Sequence, residues 1–262
     1  MVEMIEQEKT EIKKCCHSFF PAEDAVMIVG VANAGLCGSI AANHIIEQLG
    51  LREIAYLYSS LFPPISVFLD GILKHPFRIY GGPKGKPSKI FVATTELPLN
   101  KAGFHEIAHK LIEFTEEIGV TKVVTLVGFP VQQVDKYDVF FAAEPEIFDK
   151  LEKIEGIQPL PKGMIYGIEA LILNETLERP LDGFSLIAPV IEYMPATRSA
   201  AALIEALNKI FDYIDIDVQD LLAHDDMLQE KLKELAEQIQ RQKQADSAMA
   251  PPPSKNVDSL FT

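Results

Sequence analysis

The sequence predicts an α/β protein in three layers, with helices on both faces of a mostly parallel sheet. Two strongly apolar runs, Ala25–Val31 and Lys122–Val127, indicate strands that are buried on both faces. A glycine-rich turn and a helix over Ser39–Leu49 follow the first run, as at the opening of a βαβ unit. Further strand-length and helix-length segments alternate along the chain, and this alternation favours a parallel sheet.

The remaining elements are short. Beyond the two buried strands, we expect an extended first segment over Thr10–Phe20 and strands at Arg52–Ser60, Ile65–Leu69, Phe77–Tyr80, Lys89–Thr95 and Leu186–Pro189, with Gly81–Pro87 as a hairpin turn. Apolar periodicity and helix-ending residues predict helices at Glu106–Gly119, Pro145–Glu155 and Thr197–Tyr213. The apolar, glycine-punctuated segment Met164–Leu173 fits a strand, a helix or a turn.

Composition narrows the classes of function. The formal net charge of -14 and the sequence pI of about 4.9 argue against nucleic acid and anionic membrane surfaces as partners. There is no run of about 18 apolar residues, and the acidic, polar first residues are unlike a signal peptide. We therefore expect a cytoplasmic protein, with Cys15, Cys16 and Cys37 reduced and structural.

The glycine-rich turn after the first buried strand is the first candidate site. Gly30, Gly35 and Gly38 follow a G-x4-G-x2-G spacing. A dinucleotide fingerprint needs G-x-G-x-x-G, and a phosphate-binding loop ends in Gly-Lys-Ser/Thr. No Lys or Arg lies between Ala25 and Leu51. We interpret the turn as close strand-to-helix contact rather than as a nucleotide site.

A second candidate is the sequence His105-Glu106-Ile107-Ala108-His109, which has the H-E-x-x-H spacing of zinc metalloproteases. The same helix has a continuous apolar stripe and sits within an α/β alternation. Short motifs of this kind also arise by chance, so we predict no metal or other cofactor. Asp70 and Glu96 stand at strand ends, where α/β enzymes place catalytic groups, and we interpret them as solvated strand ends. We assign no catalytic residue.

The C-terminal region differs in character from residues 1–218, which form the predicted core domain. Residues 219–243 predict a helix in which apolar side chains recur at 4, 3, 4 spacing, at Leu228, Leu232, Leu235 and Ile239. This seam fits either a self-associating coiled coil or a helix that packs on its own domain. Residues 244–262 predict a flexible tail with Pro251-Pro252-Pro253. The sequence ends in Leu260-Phe261-Thr262, which fits a docking motif whose apolar pair fills a partner's pocket.

Several segments together resemble the archaeal proteasome assembly chaperone homologues, the family that shares its domain with the eukaryotic proteasome assembly chaperone two. The resemblance covers about Pro21–Phe211, and the segments that carry it are Ile28–Gly38, Pro63–Tyr80, Glu117–Val120, Leu126–Pro130, Gly163–Gly167 and Tyr193–Ala201. It implies a phosphorylase/hydrolase-like α/β/α fold, homo-oligomers and no known catalysis.

Some members of this family end in a hydrophobic-tyrosine-any-residue motif that docks between α subunits of the 20S proteasome. By that resemblance, Leu260 is the hydrophobic residue, Phe261 replaces the usual tyrosine and Thr262 supplies the carboxylate. The sequence therefore predicts an ATP-independent assembly chaperone or adaptor that binds the 20S α-ring. Two alternatives remain: a ligase or nucleoside-type hydrolase that uses the Gly30–Gly38 turn, and a scaffold whose coiled coil binds another partner.

Overall fold

The structure is a computed structural model that describes residues 10–15, 20–69, 71–82, 87–223 and 225. In chain order the elements are β1 (Thr10–Lys14), β2 (Phe20–Val31), α1 (Cys37–Gln48), β3 (Arg52–Ser59), β4 (Val67–Leu69), β5 (Ile72–Lys74), β6 (Phe77–Gly81), β7 (Pro87–Thr95), α2 (Phe104–Glu117), β8 (Lys122–Val131), β9 (Val139–Ala143), α3 (Pro145–Leu151), β10 (Ile157–Pro159), α4 (Ile168–Leu177), β11 (Asp182–Ile191) and α5 (Thr197–Ile210). Single 3-10 turns, Ala34–Leu36 and Lys101–Gly103, lead into α1 and α2.

A nine-stranded sheet forms the middle layer, in the order β1-β3-β6-β7-β2-β8-β11-β9-β10. The four strands β7, β2, β8 and β11 are parallel to one another, and they include both of the predicted buried strands. Antiparallel pairings join β6, β3 and β1 on one side and β9 on the other. The centre of the sheet therefore has the predicted βαβ order, and antiparallel strands extend it on both sides.

Helices cover both faces of the sheet, as the predicted three-layer fold requires. Successive side chains of a strand point to opposite faces. On one face, Met27 and Val29 of β2 belong to the same buried cluster as Leu111 of α2 and Ile172 of α4. On the other face, α1 and α5 contact each other, and α1 lies against β2 while α5 lies against β11. The burial of apolar side chains in both interfaces is the main stabilising contribution.

The structure changes several of the predicted elements. The extended segment predicted over Thr10–Phe20 contains β1 and the first residue of β2, and its residues 16–19 lie outside the described part of the chain. Met164–Leu173 contains the start of a helix, α4, which begins at Ile168 directly after Gly167 with its φ of 96°. The strand predicted at Ile65–Leu69 is β4, which pairs only with β5 in a separate two-stranded hairpin. Strands β5, β9 and β10 have no counterpart in the prediction.

The chain divides into two compact units, Met1–Leu221 and Leu222–Thr262. Residues 219–223, where the predicted C-terminal helix begins, are helical. The predicted seam and docking motif lie outside the described residues: Leu228, Leu232, Leu235, Ile239, Leu260, Phe261 and Thr262. Asp70 also lies outside them. Among the described residues, no helix has the length and apolarity that crossing a membrane requires.

Candidate protein-interaction surface

The glycine-rich turn is closed by backbone and methyl groups. A Cβ on Gly30 would lie 2.2 Å from the Gly38 carbonyl oxygen and 2.6 Å from the Ala42 Cβ. A Cβ on Gly38 would lie 2.6 Å from the Leu126 carbonyl oxygen. The glycines therefore let β2, α1 and β8 approach one another more closely than any side chain allows. The geometry agrees with close strand-to-helix contact as the role of this turn.

Asn33 fastens the turn to the rest of the fold. Its Nδ2 donates to the Leu126 carbonyl oxygen at 2.8 Å and to Glu169 Oε1 at 3.2 Å, while the Gly38 amide donates to Asn33 Oδ1 at 3.2 Å. Burial raises the pKa of the Glu169 carboxyl, although its hydrogen bonds from its own amide and from Asn33 oppose the shift. The polar groups at the carboxyl end of β2 thus satisfy one another inside the protein.

The structure corrects the expectation that Glu96 is a solvated strand end. Its Oε1 accepts hydrogen bonds from Arg78 Nη2 at 2.5 Å and from Asn43 Nδ2 at 3.2 Å. Arg78 is fully buried and also donates to the Tyr80 hydroxyl and the His75 carbonyl oxygen. Burial lowers the pKa of Arg78, but the hydrogen bonds and charges of Glu96 and Tyr80 together outweigh this effect and raise the pKa overall. We assign this buried ion pair a structural role.

The two histidines of the H-E-x-x-H sequence line an open groove between α2 and α4 with a volume of about 720 Å³. His109 Nδ1 lies 3.1 Å from Glu175 Oε2 and 3.3 Å from Arg179 Nη2. A guanidinium group at this distance disfavours a second cation on the same imidazole nitrogen. Among the described residues, no three His, Cys, Asp or Glu side chains form a group that could hold a metal ion.

The carboxyl ends of β8 and β11 carry exposed apolar side chains. We call the following residues the edge patch: Leu36, Phe129, Ile191, Tyr193 and Met194. Phe129 pairs with Pro189 in the β8–β11 register, and Ile191 pairs with Val131 two residues further along. The Ala196 amide donates to the Gly35 carbonyl oxygen at 2.8 Å, which holds the loop after β11 against the turn that contains Leu36. These contacts bring the five residues to one part of the sheet edge.

Two residues of the edge patch have an uncommon backbone conformation. Leu36 has a φ of 54° and Tyr193 a φ of 67°, in the left-handed region that large side chains rarely adopt. Both side chains are nevertheless exposed, Tyr193 to 92%. Strained residues cluster at functional sites, where the surrounding structure holds them in place. The conformation therefore supports a binding role for the edge patch.

A second apolar surface lies on the hairpin of β4 and β5. We call Phe68, Leu69, Ile72 and Leu73 the hairpin surface, and all four side chains are exposed. The register pairs Phe68 with Leu73 and Leu69 with Ile72, so each face of the hairpin presents one apolar pair. Phe68 and Leu73 are 68% and 75% exposed. Contiguous exposed apolar side chains of this kind are typical of protein-binding sites.

In α/β enzymes the carboxyl edge of the sheet holds the ligand and the convergent polar groups that act on it. Here Asn33, Glu169 and Glu96 have hydrogen-bond partners within the protein, although Thr94 Oγ1 and Glu96 Oε2 are buried without one among the described residues. Large apolar side chains are exposed at the same edge. Sequence reasoning did not identify the edge patch or the hairpin surface. The only sequence signal is a set of large apolar residues within loops, such as Tyr193-Met194 before Pro195.

Comparisons with known proteins give the family and the fold of the chain. A model of the PAC2 family matches residues 27–236. A structure of Pyrococcus furiosus PbaA, an archaeal homologue of proteasome-assembly chaperone, is 27% identical, with a TM-score of 0.79 over 91% of this chain and 97% of that one. A Thermoplasma acidophilum protein of unknown function is 32% identical, with a TM-score of 0.70 over 86% and 91%. Pyrococcus furiosus PbaB, an archaeal proteasome activator, is 22% identical and shares the fold, with a TM-score of 0.76 over 87% and 99%.

Proposed function

The chain belongs to the PAC2 family, and from this membership we propose that it is an ATP-independent assembly chaperone or adaptor of the 20S proteasome. The observation that carries the proposal is the similarity to the archaeal homologue of proteasome-assembly chaperone, which extends over nearly the whole of both chains. The proposal includes a cytoplasmic location and a role without catalysis. The apolar edge patch, at the place where α/β enzymes bind ligands, supports a role in binding protein.

The proposed contact with the α-ring is the docking motif that the sequence predicts. Leu260 and Phe261 would fill a pocket between two α subunits, and the Thr262 carboxylate would pair with a Lys or Arg of that pocket. Phe261 lacks the hydroxyl of the tyrosine that is usual in the family motif. One missing hydrogen bond weakens a single docked tail by about 1 kcal/mol.

The same proposal includes a homo-oligomer that presents several tails at once. Once one tail has bound, the second binds as an intramolecular step, so the overall affinity exceeds that of a single tail without any new contact. A ring of α subunits offers repeated pockets for such tails. Weak individual motifs, including one with phenylalanine in place of tyrosine, are then sufficient.

Co-sedimentation with 20S particles of the source organism tests the proposal. We expect the full chain to co-sediment and a variant that lacks Leu260–Thr262 to remain in the supernatant, with an unchanged number of subunits in its oligomer. The variant Phe261→Tyr should bind about fivefold more tightly per tail, because it restores one hydrogen bond. Adding one glycine after Thr262 keeps the apolar pair but displaces the carboxylate, and it should weaken binding. Equal binding by the full chain and the deletion variant would rule out the docking motif.

A further inference from the structure

Two oxygen atoms at the carboxyl end of β7, Thr94 Oγ1 and Glu96 Oε2, are buried and have no hydrogen-bond partner among the described residues. Thr94 is fully buried. Buried polar groups in proteins almost always have a partner, because a group without one loses its hydration and gains nothing in return. Two such atoms, on side chains separated by a single residue, point to one bound molecule that contacts both.

Arg78 brings the two unpartnered atoms to one place. It pairs with Thr94 in the register of β6 and β7, so both side chains are on the same face of the sheet. Glu96 directly follows β7, and its other oxygen, Oε1, accepts hydrogen bonds from Arg78 Nη2 at 2.5 Å and from Asn43 Nδ2 at 3.2 Å. Asn43 belongs to α1, which lies against β7. The site is therefore between α1 and the strands β6 and β7.

The spacing of the two side chains suits a molecule of the size of water. Residues two apart along a strand are separated by about 6.7 Å. A water molecule that makes hydrogen bonds of about 2.8 Å to two oxygen atoms spans up to about 5.6 Å between them. The longer side chain of Glu96 covers the difference. A larger molecule would have to displace Arg78 or Asn43, and both are already hydrogen-bonded to Glu96.

The charges around the site favour a neutral molecule that both donates and accepts hydrogen bonds. Arg78 and Glu96 form an ion pair, so their charges cancel. A bound cation would leave a net positive charge beside the Arg78 guanidinium, and a bound anion would lie against the Glu96 carboxylate. The Glu53 carboxylate of β3 already has a partner, His75 Nδ1 at 3.2 Å. The unpartnered oxygen of Glu96 needs a donor, and the Thr94 hydroxyl can donate or accept.

Arg78 supplies a third partner for the bound molecule. Its guanidinium has five N–H groups. Three of them donate to the Tyr80 hydroxyl, the His75 carbonyl oxygen and Glu96 Oε1, which leaves one N–H on each terminal nitrogen. Buried waters typically make about three hydrogen bonds to the protein. Thr94, Glu96 and Arg78 together provide that number.

We propose that one buried water molecule binds between Thr94 and Glu96. It donates to Glu96 Oε2, shares a hydrogen bond with Thr94 Oγ1 and accepts one from Arg78. In this position it keeps the Glu96 carboxylate in the orientation that Arg78 and Asn43 require. Arg78 Nη1 also donates to the His75 carbonyl oxygen at 2.8 Å, directly after β5. The water thereby links the end of the β4–β5 hairpin to β7 and α1, and this role is independent of binding to 20S particles.

A high-resolution crystal structure of the full chain tests the site. We expect a water about 2.8 Å from both Thr94 Oγ1 and Glu96 Oε2. Thr94→Val keeps the shape of the side chain but removes the hydroxyl, so it should lose this water and lower the melting temperature by about 2–4 °C. Thr94→Ser keeps the hydroxyl and should keep the water. If neither oxygen binds a molecule, Thr94→Val instead removes an unsatisfied buried group and raises the melting temperature.

Thr125→Val is the matched control. Thr125 is fully buried on β8, but its hydroxyl donates directly to Ser185 Oγ at 2.9 Å. Its replacement should lower the melting temperature through the loss of that hydrogen bond and leave the water at Thr94 in place. Hydrogen–deuterium exchange, followed by mass spectrometry, should be faster over β5 and His75 in Thr94→Val than in Thr125→Val. Only the first variant loosens the link from Arg78 to the His75 carbonyl oxygen.

Several results would overturn the proposal. One is a wild-type crystal structure without this water, or with Thr94 Oγ1 hydrogen-bonded to a protein atom. Another is a Thr94→Val protein that melts above the wild type. A wild-type melting temperature that differs among sodium, potassium and ammonium chloride at equal ionic strength, with no such difference in Thr94→Val, would show a cation in place of the water. Equal exchange over β5 in the two valine variants would contradict the link to the hairpin.

Discussion

Replacing Gly30 by alanine tests the interpretation of the glycine-rich turn. The added Cβ would lie 2.2 Å from the Gly38 carbonyl oxygen and 2.6 Å from the Ala42 Cβ, so β2 and α1 must separate by about 1 Å to restore van der Waals distances. Overpacking of a core costs about 1–3 kcal/mol, and occasionally more. Because the closest atom belongs to rigid backbone, we expect the upper end, about 3 kcal/mol. For a domain of about 200 residues, this lowers the melting temperature by about 6–12 °C.

Gly50→Ala is the control for this substitution. It makes the same chemical change, but no atom lies within 4 Å of the added Cβ, and the cost comes only from the φ of +58°. That conformation costs a residue with a Cβ about 1–2 kcal/mol. Circular dichroism should therefore give Gly30→Ala a lower melting temperature than Gly50→Ala, and both variants a lower melting temperature than the wild type. If Gly30→Ala melts at the wild-type temperature, the close approach of α1 to β2 is wrong, and the turn has room for a ligand.

Three further predictions concern ligands and buried charges. Thermal-shift measurements with nucleotides and common divalent metals should show no stabilisation; a ligand at 100 times its dissociation constant would add about 2.7 kcal/mol and would favour the enzyme alternative. Arg78→Met should lower the unfolding free energy by about 2–4 kcal/mol, since it leaves Glu96 without its main partner. Glu96→Gln should lower the unfolding free energy by less, because the Glu96 side chain is 28% exposed. Equal losses for the two variants in urea titrations would contradict this expectation. Glu169→Gln should change the pH dependence of the unfolding free energy. Because the folded state raises the pKa of the Glu169 carboxyl, the stability that this group contributes is present below its ordinary pKa of 4.5 and is lost as the pH rises through the folded pKa. Over that pH range the variant should become more stable relative to the wild type. Parallel plots of unfolding free energy against pH for the two proteins would contradict a raised pKa for Glu169.

The centre of the fold could be predicted because its sequence signals are local. Val26–Val29 and Val123–Leu126 are short, largely apolar runs that are typical of strands buried on both faces, and α2 and α5 carry regular apolar stripes. The Gly81–Pro87 turn predicts one antiparallel pairing, that of β6 with β7. The other antiparallel pairings could not be predicted, because strand direction is set by contacts between distant segments. Strand β9 is a five-residue apolar run, Val139–Ala143, whose position next to β11 depends on the pairing of Phe141 with Leu186.

The Arg78–Glu96 ion pair and the edge patch could not be predicted for the same reason, because both depend on contacts between distant segments. Arg78 lies in a short strand whose alternation predicts an exposed cation, yet it is buried because Glu96, at the end of the next strand, neutralises it. Leu36 and Tyr193 are isolated apolar residues in loops, where no periodicity marks them. Their significance comes from the backbone that holds both at one edge of the sheet. A sequence pattern describes neighbours along the chain, whereas an interaction surface is made by neighbours in space.

The dissociation constant for 20S particles, measured by native mass spectrometry on the full chain and on the variant without Leu260–Thr262, tests the central claim most directly. We expect the full chain to occupy the ends of the particle in several copies and the variant not to bind, while both form oligomers with the same number of subunits when measured alone. Binding of the variant with the affinity of the full chain, or no binding of the full chain at all, would contradict it.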